Sequence, residues 1–258
     1  MKQDLPIAED WFTIEPADEY GVRRIREHHV NERVTGSMWF VEGSERCLMV
    51  ETGLGVAPVR RFLETITEKP IIAFASVGYY DHAGGLYQFD ERLIHGADAW
   101  RVSKPTRHNT VAETYLGDTF TVLPYKAFDP MTYVMPASEA TRSLVGGDKI
   151  DLGDRVFDVL HLPGVTAGAS ALFERESGAL FTGEAFVWVG DYVYDGEPSN
   201  ISDDADRAAF RKSIRGLCDL PVTTVYPGHL ARRGADEMKT AIAAYLDGRS
   251  VTRETSPS

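Results

Sequence analysis

The stretch ASVGYYDHAGG, residues 75–85, ends an apolar run and carries a carboxylate and an imidazole just before two glycines. Asp81 and His82 are residue types that bind divalent metal ions. In an extended segment, the side chains of residues 77, 79 and 81 can point to one side. Val77 has no donor atom, however, and the phenol of Tyr79 keeps its proton near neutral pH. The stretch therefore offers two candidate metal ligands, Asp81 and His82, on the residues that follow the strand.

Strand and helix patterns alternate outward from this stretch. Short apolar runs bounded by turn residues predict strands within residues 36–43, 46–52, 70–77, 148–164, 170–185 and 222–229. Apolar residues at helical spacing predict helices at about 56–67, 203–217 and 234–246, the second begun by Ser202 or Asp203 and the third ended by Gly248. Residues 97–145 are less regular and predict a loop-rich insertion. The alternation favours a layered α/β architecture.

The composition is ordinary for a globular protein, with 43% hydrophobic and 26% charged residues in a chain of 258. The chain has 27 Lys and Arg residues and 39 Asp and Glu residues. The resulting net charge of −12 argues against nucleic acid or an anionic membrane as a partner. No targeting pattern opens the chain, and no apolar run approaches the roughly 18 residues that span a bilayer. Only Cys47 and Cys218 are cysteines, so we expect a cytoplasmic chain with reduced thiols.

Four separated segments share one form, an apolar strand followed by a short loop with Gly and a polar side chain. They are residues 76–85, 162–168, 180–185 and 225–229. Loops at strand ends are where α/β proteins collect their chemistry, because the sheet fixes the base of each loop. The four loops together predict a single cleft.

These loops carry motifs that resemble those of the metallo-β-lactamase superfamily, in the same order along the chain. Asp81, His82, Gly84 and Gly85 match the end of its signature T-H-x-H-x-D-H-x-G-G. The other matches are Met49–Gly53 to an early L-I-D-T-G, Pro163-Gly164 with Thr166 to a strand-end motif, Leu180–Gly183 to the loop before a metal-bridging aspartate, and Pro227–His229 to a closing P-G-H. The resemblance implies a four-layer α/β/β/α sandwich with two mixed sheets back to back. It is expected as a single domain over residues 1–258, with a core at about 36–247 and a polar C-terminal tail.

The departures from the family pattern define the expected site. The three histidines of the family's first metal site fall on Val77, Tyr79 and Val165, and the bridging aspartate falls on Glu184. Asp81, His82, His229 and Glu184 remain as expected ligands. Two imidazoles and a carboxylate suffice for a mononuclear zinc or iron site. We therefore expect one divalent ion (zinc, iron or manganese) or none, with Glu184 as a fourth ligand or a general base.

The leading functional hypothesis is a divergent hydrolase that acts on a small-molecule ester, lactone, thioester or amide. In it, Asp81 or Glu184 orients or deprotonates the attacking water and Tyr79 stabilises the developing oxyanion. A metal-independent lyase, isomerase or hydrolase that uses Tyr79, Asp81 and His82 is an alternative. A non-catalytic small-ligand-binding or regulatory module on the same fold is another. The oligomeric state is open, and a homodimer is compatible with the sequence.

Aromatic residues near the predicted loops form either a substrate wall or part of the core. Tyr80, Trp188 and Tyr192 are the candidates for contact with substrate. The remaining histidines show no ligand spacing, and we expect surface, capping or packing roles for His28, His29, His95, His108 and His161.

Overall fold

The computed structural model describes residues 6–31, 34–115, 119–189, 192–195 and 204–249. Within these residues a seven-stranded sheet comes first along the chain. Its strands lie side by side in chain order: β1 (Phe12–Ile14), β2 (Val22–Glu27), β3 (Met38–Glu42), β4 (Cys47–Val50), β5 (Ile71–Phe74), β6 (Glu91–His95) and β7 (Arg142–Leu144). Strands β1 to β4 pair antiparallel, and β4 to β7 pair parallel.

The second sheet follows in the C-terminal half. Its strands, with a small ribbon inserted, are β8 (Lys149–Asp151), β9 (Val156–His161), β10 (Ser170–Glu174), β11 (Ala179–Gly183), the ribbon strands β12 (Val187–Val189) and β13 (Tyr192–Tyr194), β14 (Thr224–Pro227) and β15 (Arg233–Gly234). The spatial order of the sheet is β15-β14-β11-β10-β9-β8. Since β11 and β14 run parallel, the loops after both strands leave the same edge of the sheet.

Six α-helices complete the described structure, most of them short. They are α1 (Val59–Leu63), α2 (Tyr80–Ala83), α3 (Ala99–Ser103), α4 (Ala112–Tyr115), α5 (Arg207–Leu217) and α6 (Ala235–Leu246). No helix among the described residues is long and apolar enough to cross a bilayer.

Two buried clusters separate the layers. One holds Leu48 and Phe74 from the first sheet together with Leu172 and Phe181 from the second, so the sheets pack face to face. The other joins the outer faces of the sheets to the helices, and its helical members include Val59, Leu63, Phe210, Ile214, Met238 and Ile242. Each sheet has two apolar faces, so burying both requires the other sheet on one side and helices on the opposite side. This is the expected four-layer α/β/β/α sandwich, and the predicted fold class is confirmed.

Three sequence predictions differ from the structure. The helix expected at 56–67 is limited to α1, which ends at Leu63. The helix expected from 203 begins at Arg207, because the Asp206 side chain accepts hydrogen bonds from the amides of residues 208 and 209 and so caps it. Ser202, Asp203 and the tail at 250–258 lie outside the described residues. The first sheet also begins before residue 36, with the three-residue β1 and with β2, whose charged residues hide the strand pattern.

The segment at 97–145 was expected to be loop-rich, and it contains only short elements: α3, α4, strand β7 and a 3₁₀ turn at Pro130–Thr132. Tyr133 anchors this segment to the loop after β4, because its hydroxyl donates to the Leu54 carbonyl at 2.7 Å. The Tyr133 ring also faces the Tyr80 ring, with centroids 6.3 Å apart. The segment at 97–145 therefore packs against the loop after β4 and against the first residue of α2.

Candidate metal centre

Helix α2 carries Asp81 and His82 shortly after β5, and the loop after β4 holds it in place. The His82 carbonyl accepts hydrogen bonds from the Thr52 amide at 2.7 Å and from the Thr52 hydroxyl at 3.0 Å. Gly55 has a φ of 69°, and a Cβ there would overlap the Gly84 carbonyl. The glycines next to the Asp-His pair thus allow two backbones to touch, which fixes where Asp81 and His82 lie.

Glu184 and His229 reach the same place from the second sheet. The Glu184 amide donates to the Ser76 hydroxyl at 2.9 Å, which ties the end of β11 to the end of β5. The Gly228 amide donates to the Gly183 carbonyl at 2.9 Å, so the loop after β14 follows the loop after β11. A Cβ at Gly183 would overlap the side chains of Ser76 and Glu51, and a side chain at this position would push the sheets apart.

The four candidate ligands converge in the structure. Oε2 of Glu184 lies 3.3 Å from Nε2 of His82 and 3.3 Å from Nε2 of His229. Oδ2 of Asp81 lies 3.7 Å and 3.6 Å from the same two nitrogens. Ligands about 2.0–2.1 Å from a tetrahedral zinc ion are separated by about 3.3 Å. The spacing of these donors therefore fits a single ion.

The atoms that would face the ion have no other partner. His82 Nε2 and Glu184 Oε2 are buried and make no hydrogen bond. Buried polar atoms are rarely left in this state, because losing water without a replacement partner costs free energy. A divalent cation would satisfy both atoms at once, so the residues present fit a metal.

The outer nitrogen of each imidazole faces an oxygen. Nδ1 of His82 lies 3.4 Å from Oε2 of Glu51, and Nδ1 of His229 donates to the Thr35 carbonyl at 3.1 Å. Metal-ligating histidines usually direct their other ring N–H at a carboxylate or a carbonyl, which fixes the ring and leaves the inner nitrogen for the ion. Both rings are therefore oriented with Nε2 inward.

The charges of the site are strongly coupled. Burial raises the pKa of Asp81. Burial also acts to raise the pKa of Glu184, but His229 and His82 outweigh it and lower that pKa to about 2. For His82, burial acts to lower the pKa, yet Asp81, Glu51 and Glu184 raise it well above its usual value. Protons on the imidazoles and a bound cation would compete for the same negative charge.

Val77, Tyr79 and Val165, which replace the expected histidines, are all buried. The Tyr79 hydroxyl donates to the Val165 carbonyl at 3.3 Å, and the Arg101 guanidinium lies 5.9 Å from the centre of the Tyr79 ring. Arg101 is itself buried and pairs with Asp204. Two apolar side chains and a phenol thus occupy the positions of the missing first site.

The predicted substrate contacts are mostly buried. Tyr80 is 1% exposed and packs near Tyr133, and Trp188 is 3% exposed and stacks on Phe186 with centroids 5.1 Å apart. Tyr192 is half-buried and pairs with Val189 across the β12–β13 ribbon. Tyr80 and Trp188 therefore pack in the core, which was the alternative to a substrate wall. Contact of any of the three with substrate stays a prediction.

Sequence reasoning missed two carboxylates near the site. Glu51 lies within the Met49–Gly53 motif, but the motif does not predict its approach to His82. Glu27 on β2 accepts hydrogen bonds from the Trp11 indole at 2.8 Å and from the Leu54 amide at 2.9 Å. Burial raises the pKa of Glu27 to about 7. No local pattern marks Glu27, because its role depends on the pairing of β2 with a distant loop.

The other histidines show three kinds of surroundings. His95 and His161 stack with centroids 4.0 Å apart, and His108 pairs with Glu113. His28 and His29 lie together beside Asp10, an arrangement that their spacing in the sequence does not indicate.

Comparison with known proteins places these features in a family. The family profile described as "Metallo-beta-lactamase superfamily" matches residues 32–229. Among curated proteins, the chain is similar to "Acyl-coenzyme A thioesterase MBLAC2" from Gallus gallus, with 29% identity over 267 residues that cover 96% of this chain and 91% of the relative. The protein of the same name from Homo sapiens is 29% identical over 268 residues, with the same coverage.

Solved structures share the fold at low identity. A metallo-beta-lactamase family protein from Thermus thermophilus superposes with a TM-score of 0.60 at 18% identity, covering 83% of this chain and 74% of the other. The protein TTHA1623, solved in a di-iron-bound form, gives a TM-score of 0.58 at 21% identity, covering 86% and 96%. The family match and the names of the relatives indicate that the protein is an enzyme, a hydrolase. Since the matched profile spans most of the chain, from before β3 to His229, the chain belongs to the metallo-beta-lactamase superfamily.

Proposed function

We propose that this hydrolase cleaves acyl thioesters, such as those of coenzyme A, with one divalent ion held by Asp81, His82, His229 and Glu184. The observation that carries the proposal is the buried, unpartnered pair of atoms His82 Nε2 and Glu184 Oε2, 3.3 Å apart. The substrate class is supported by the acyl-coenzyme A thioesterases of two vertebrates that match 96% of this chain.

When bound, such an ion supplies a Lewis acid for the thioester carbonyl and lowers the pKa of water. The two carboxylates beside the ion differ in pKa, and this difference bears on their roles. Glu184, with a pKa lowered to about 2, stays ionised at neutral pH and is better suited to binding a cation than to taking up a proton. Asp81 has a raised pKa, which brings it closer to neutral pH. As a ligand of the ion, Asp81 would orient the attacking water, and the uptake of its proton by Asp81 or Glu184 stays a sequence-based prediction.

A hydrogen bond with the Thr35 carbonyl holds the His229 ring, and Glu51 lies 3.4 Å behind Nδ1 of the fully buried His82 ring. His229 is the most exposed of the four ligands, with 19% of its side chain accessible, against 11% for Asp81 and 8% for Glu184. Substrate would therefore approach from the His229 side. The oxyanion role of Tyr79 stays a sequence-based prediction, since it requires the hydroxyl to exchange its bond with Val165 for one to the substrate.

The test compares ion content and turnover in the same preparations. We expect His82→Gln to lose one equivalent of divalent ion relative to the unchanged protein and to lose hydrolysis of an acyl-coenzyme A in parallel. His108→Gln removes an exposed histidine that pairs with Glu113, and it serves as the matched control. Both variants are checked for folding by circular dichroism.

Other outcomes would reject the proposal. Full turnover by the His82→Gln protein, or by protein stripped of ions with a chelator, favours the metal-independent enzyme. Hydrolysis of esters, lactones or amides without hydrolysis of thioesters would show that the substrate class is wrong. Absence of turnover with thioesters, esters, lactones and amides alike favours the non-catalytic binding module.

A further inference from the structure

A second group of metal-ligating side chains lies at the edge of the first sheet, on the outermost strand pair. Phe12 of β1 pairs with Glu27 of β2, and the pairing continues beyond the strands, because the His28 amide donates to the Trp11 carbonyl at 3.3 Å. This continuation brings Asp10 opposite the turn that contains His28 and His29. The group thus arises from strand register and does not belong to the Asp81 centre.

The donor atoms of this group lie at metal-ligand spacing. Oδ1 of Asp10 lies 3.3 Å from Nε2 of His28 and 3.5 Å from Nε2 of His29. These separations are close to the edge of about 3.3 Å expected between ligands of a tetrahedral zinc ion. Like Asp81, His82 and His229, these three residues each offer a ligand atom that lies within 4.8 Å of the other two.

We propose that Asp10, His28 and His29 form a second divalent-cation site. Two imidazoles and one carboxylate suit zinc and its neighbours among the transition metals, whereas calcium and magnesium prefer oxygen ligands alone. Nε2 of His29 is buried and makes no hydrogen bond, although it faces the carboxylate. The Asp10 side chain is 76% exposed, so water or another small ligand can complete the coordination.

The two imidazoles are held in place on the protein side. Their ring centroids lie 4.0 Å apart, and the His29 ring lies 5.6 Å from the Trp11 ring. The His29 carbonyl accepts hydrogen bonds from the amide of Thr121 at 2.9 Å and from its hydroxyl at 2.8 Å. The turn is therefore fixed by the segment at 119–123 before any ion binds, which lowers the entropic cost of binding.

The site is connected to the Asp81 centre through neighbours in sequence. Trp11, next to Asp10, donates to Glu27, next to His28, and the same carboxylate accepts from the Leu54 amide. An ion on Asp10, His28 and His29 would hold β1 and β2 together at the point where they anchor the loop beneath α2.

The test is a titration of chelator-stripped protein, made without a histidine tag, with Zn²⁺ alone by isothermal calorimetry. We expect two equivalents in the unchanged protein, one in His82→Gln, one in the double variant Asp10→Asn with His28→Gln, and none when all three changes are combined. The single change Asp10→Asn, at an exposed position, should weaken one of the two sites by at least about tenfold. His108→Gln is the matched control and should keep both.

Two results would overturn the proposal. One is a double variant that binds two equivalents with unchanged affinity. The other is an unchanged protein that binds a single equivalent, which His82→Gln removes entirely. Circular dichroism of the Asp10→Asn protein establishes that any loss of binding occurs in a folded chain. Since the His82 and Asp10 variants are scored separately, failure of this site and failure of the Asp81 centre give different patterns.

Discussion

Nδ1 of His82 lies 3.4 Å from Oε2 of Glu51, and neither side chain has any exposed surface. Glu51 stands at the end of β4 with a φ of 65°, a backbone conformation uncommon outside glycine. The carboxylate is thus placed behind the imidazole at some cost in backbone energy.

The first prediction concerns this contact. Glu51→Gln keeps an oxygen near the Ser76 amide and His82 but removes the negative charge that favours an electron-rich imidazole. We expect the affinity for Zn²⁺ at the Asp81 centre to fall by about 10- to 100-fold, as is typical when a partner of a ligating histidine is changed. Competition with a chelator measures the affinity, and Glu64→Gln, at an exposed carboxylate paired with Arg60, is the control. Unchanged affinity would show that Glu51 does not support His82.

The second prediction concerns Tyr79. Its hydroxyl already donates to the Val165 carbonyl, so we expect Tyr79→Phe to lower the free energy of unfolding by about 1 kcal/mol and to change kcat by less than about threefold. Urea denaturation and steady-state kinetics on a thioester measure the two quantities. A fall of about 100-fold in kcat with little change in stability would instead support the oxyanion role.

The third prediction concerns the pH dependence of stability. Burial raises the pKa of Glu27 from its ordinary 4.5 to about 7, so the folded state binds the proton more tightly than the unfolded state does. Stability from this group is therefore full below about pH 4.5 and is lost as the pH rises through about 7, a total of about 3 kcal/mol. Glu27→Gln cannot titrate and lacks this component.

The measurement is urea denaturation of ion-free protein and of the Glu27→Gln variant from about pH 5 to pH 8. The difference in unfolding free energy between the two proteins should fall with rising pH and level off above about pH 8. A difference that stays constant, or that grows with pH, would contradict the raised pKa.

The fourth prediction compares two glycines. Gly55 has a φ of 69°, and a Cβ there would overlap the Gly84 backbone beneath α2, so Gly55→Ala should lower the unfolding free energy by more than about 2 kcal/mol. Gly216 lies exposed within α5, and a Cβ there meets nothing within 4 Å. Gly216→Ala should therefore raise stability by about 0.5–1 kcal/mol. Thermal melts of both proteins check the pair, and equal effects would refute the steric argument.

Much of the fold could be predicted because its strands are short apolar runs bounded by turn residues. Strands β3, β4 and β5, and the strands β8 to β11 within 148–164 and 170–185, all lie where their patterns place them. Strand β2, by contrast, has the sequence VRRIRE, and its charged residues conceal a strand that pairs with both β1 and β3. Strand propensity is a weak guide where pairing with neighbouring strands and burial of alternate residues decide the structure.

The candidate site divides in the same way. Asp81, His82, Glu184 and His229 could be selected because each follows a strand and matches a motif, and the structure brings their donor atoms together. The position of Glu51 behind His82 and the Asp10–His28–His29 group could not be predicted from the sequence. Both depend on which residues face each other across strands or loops. The roles of the selected residues as ligands stay a prediction.

The two imidazoles of the Asp81 centre are supported by different kinds of oxygen, a side-chain carboxylate for His82 and a peptide carbonyl for His229. A single codon change can alter the first support, but no substitution at Thr35 removes the second. Mutation can therefore adjust the basicity of one ligand, and with it the strength of the centre, while the other ligand is held by the main chain itself.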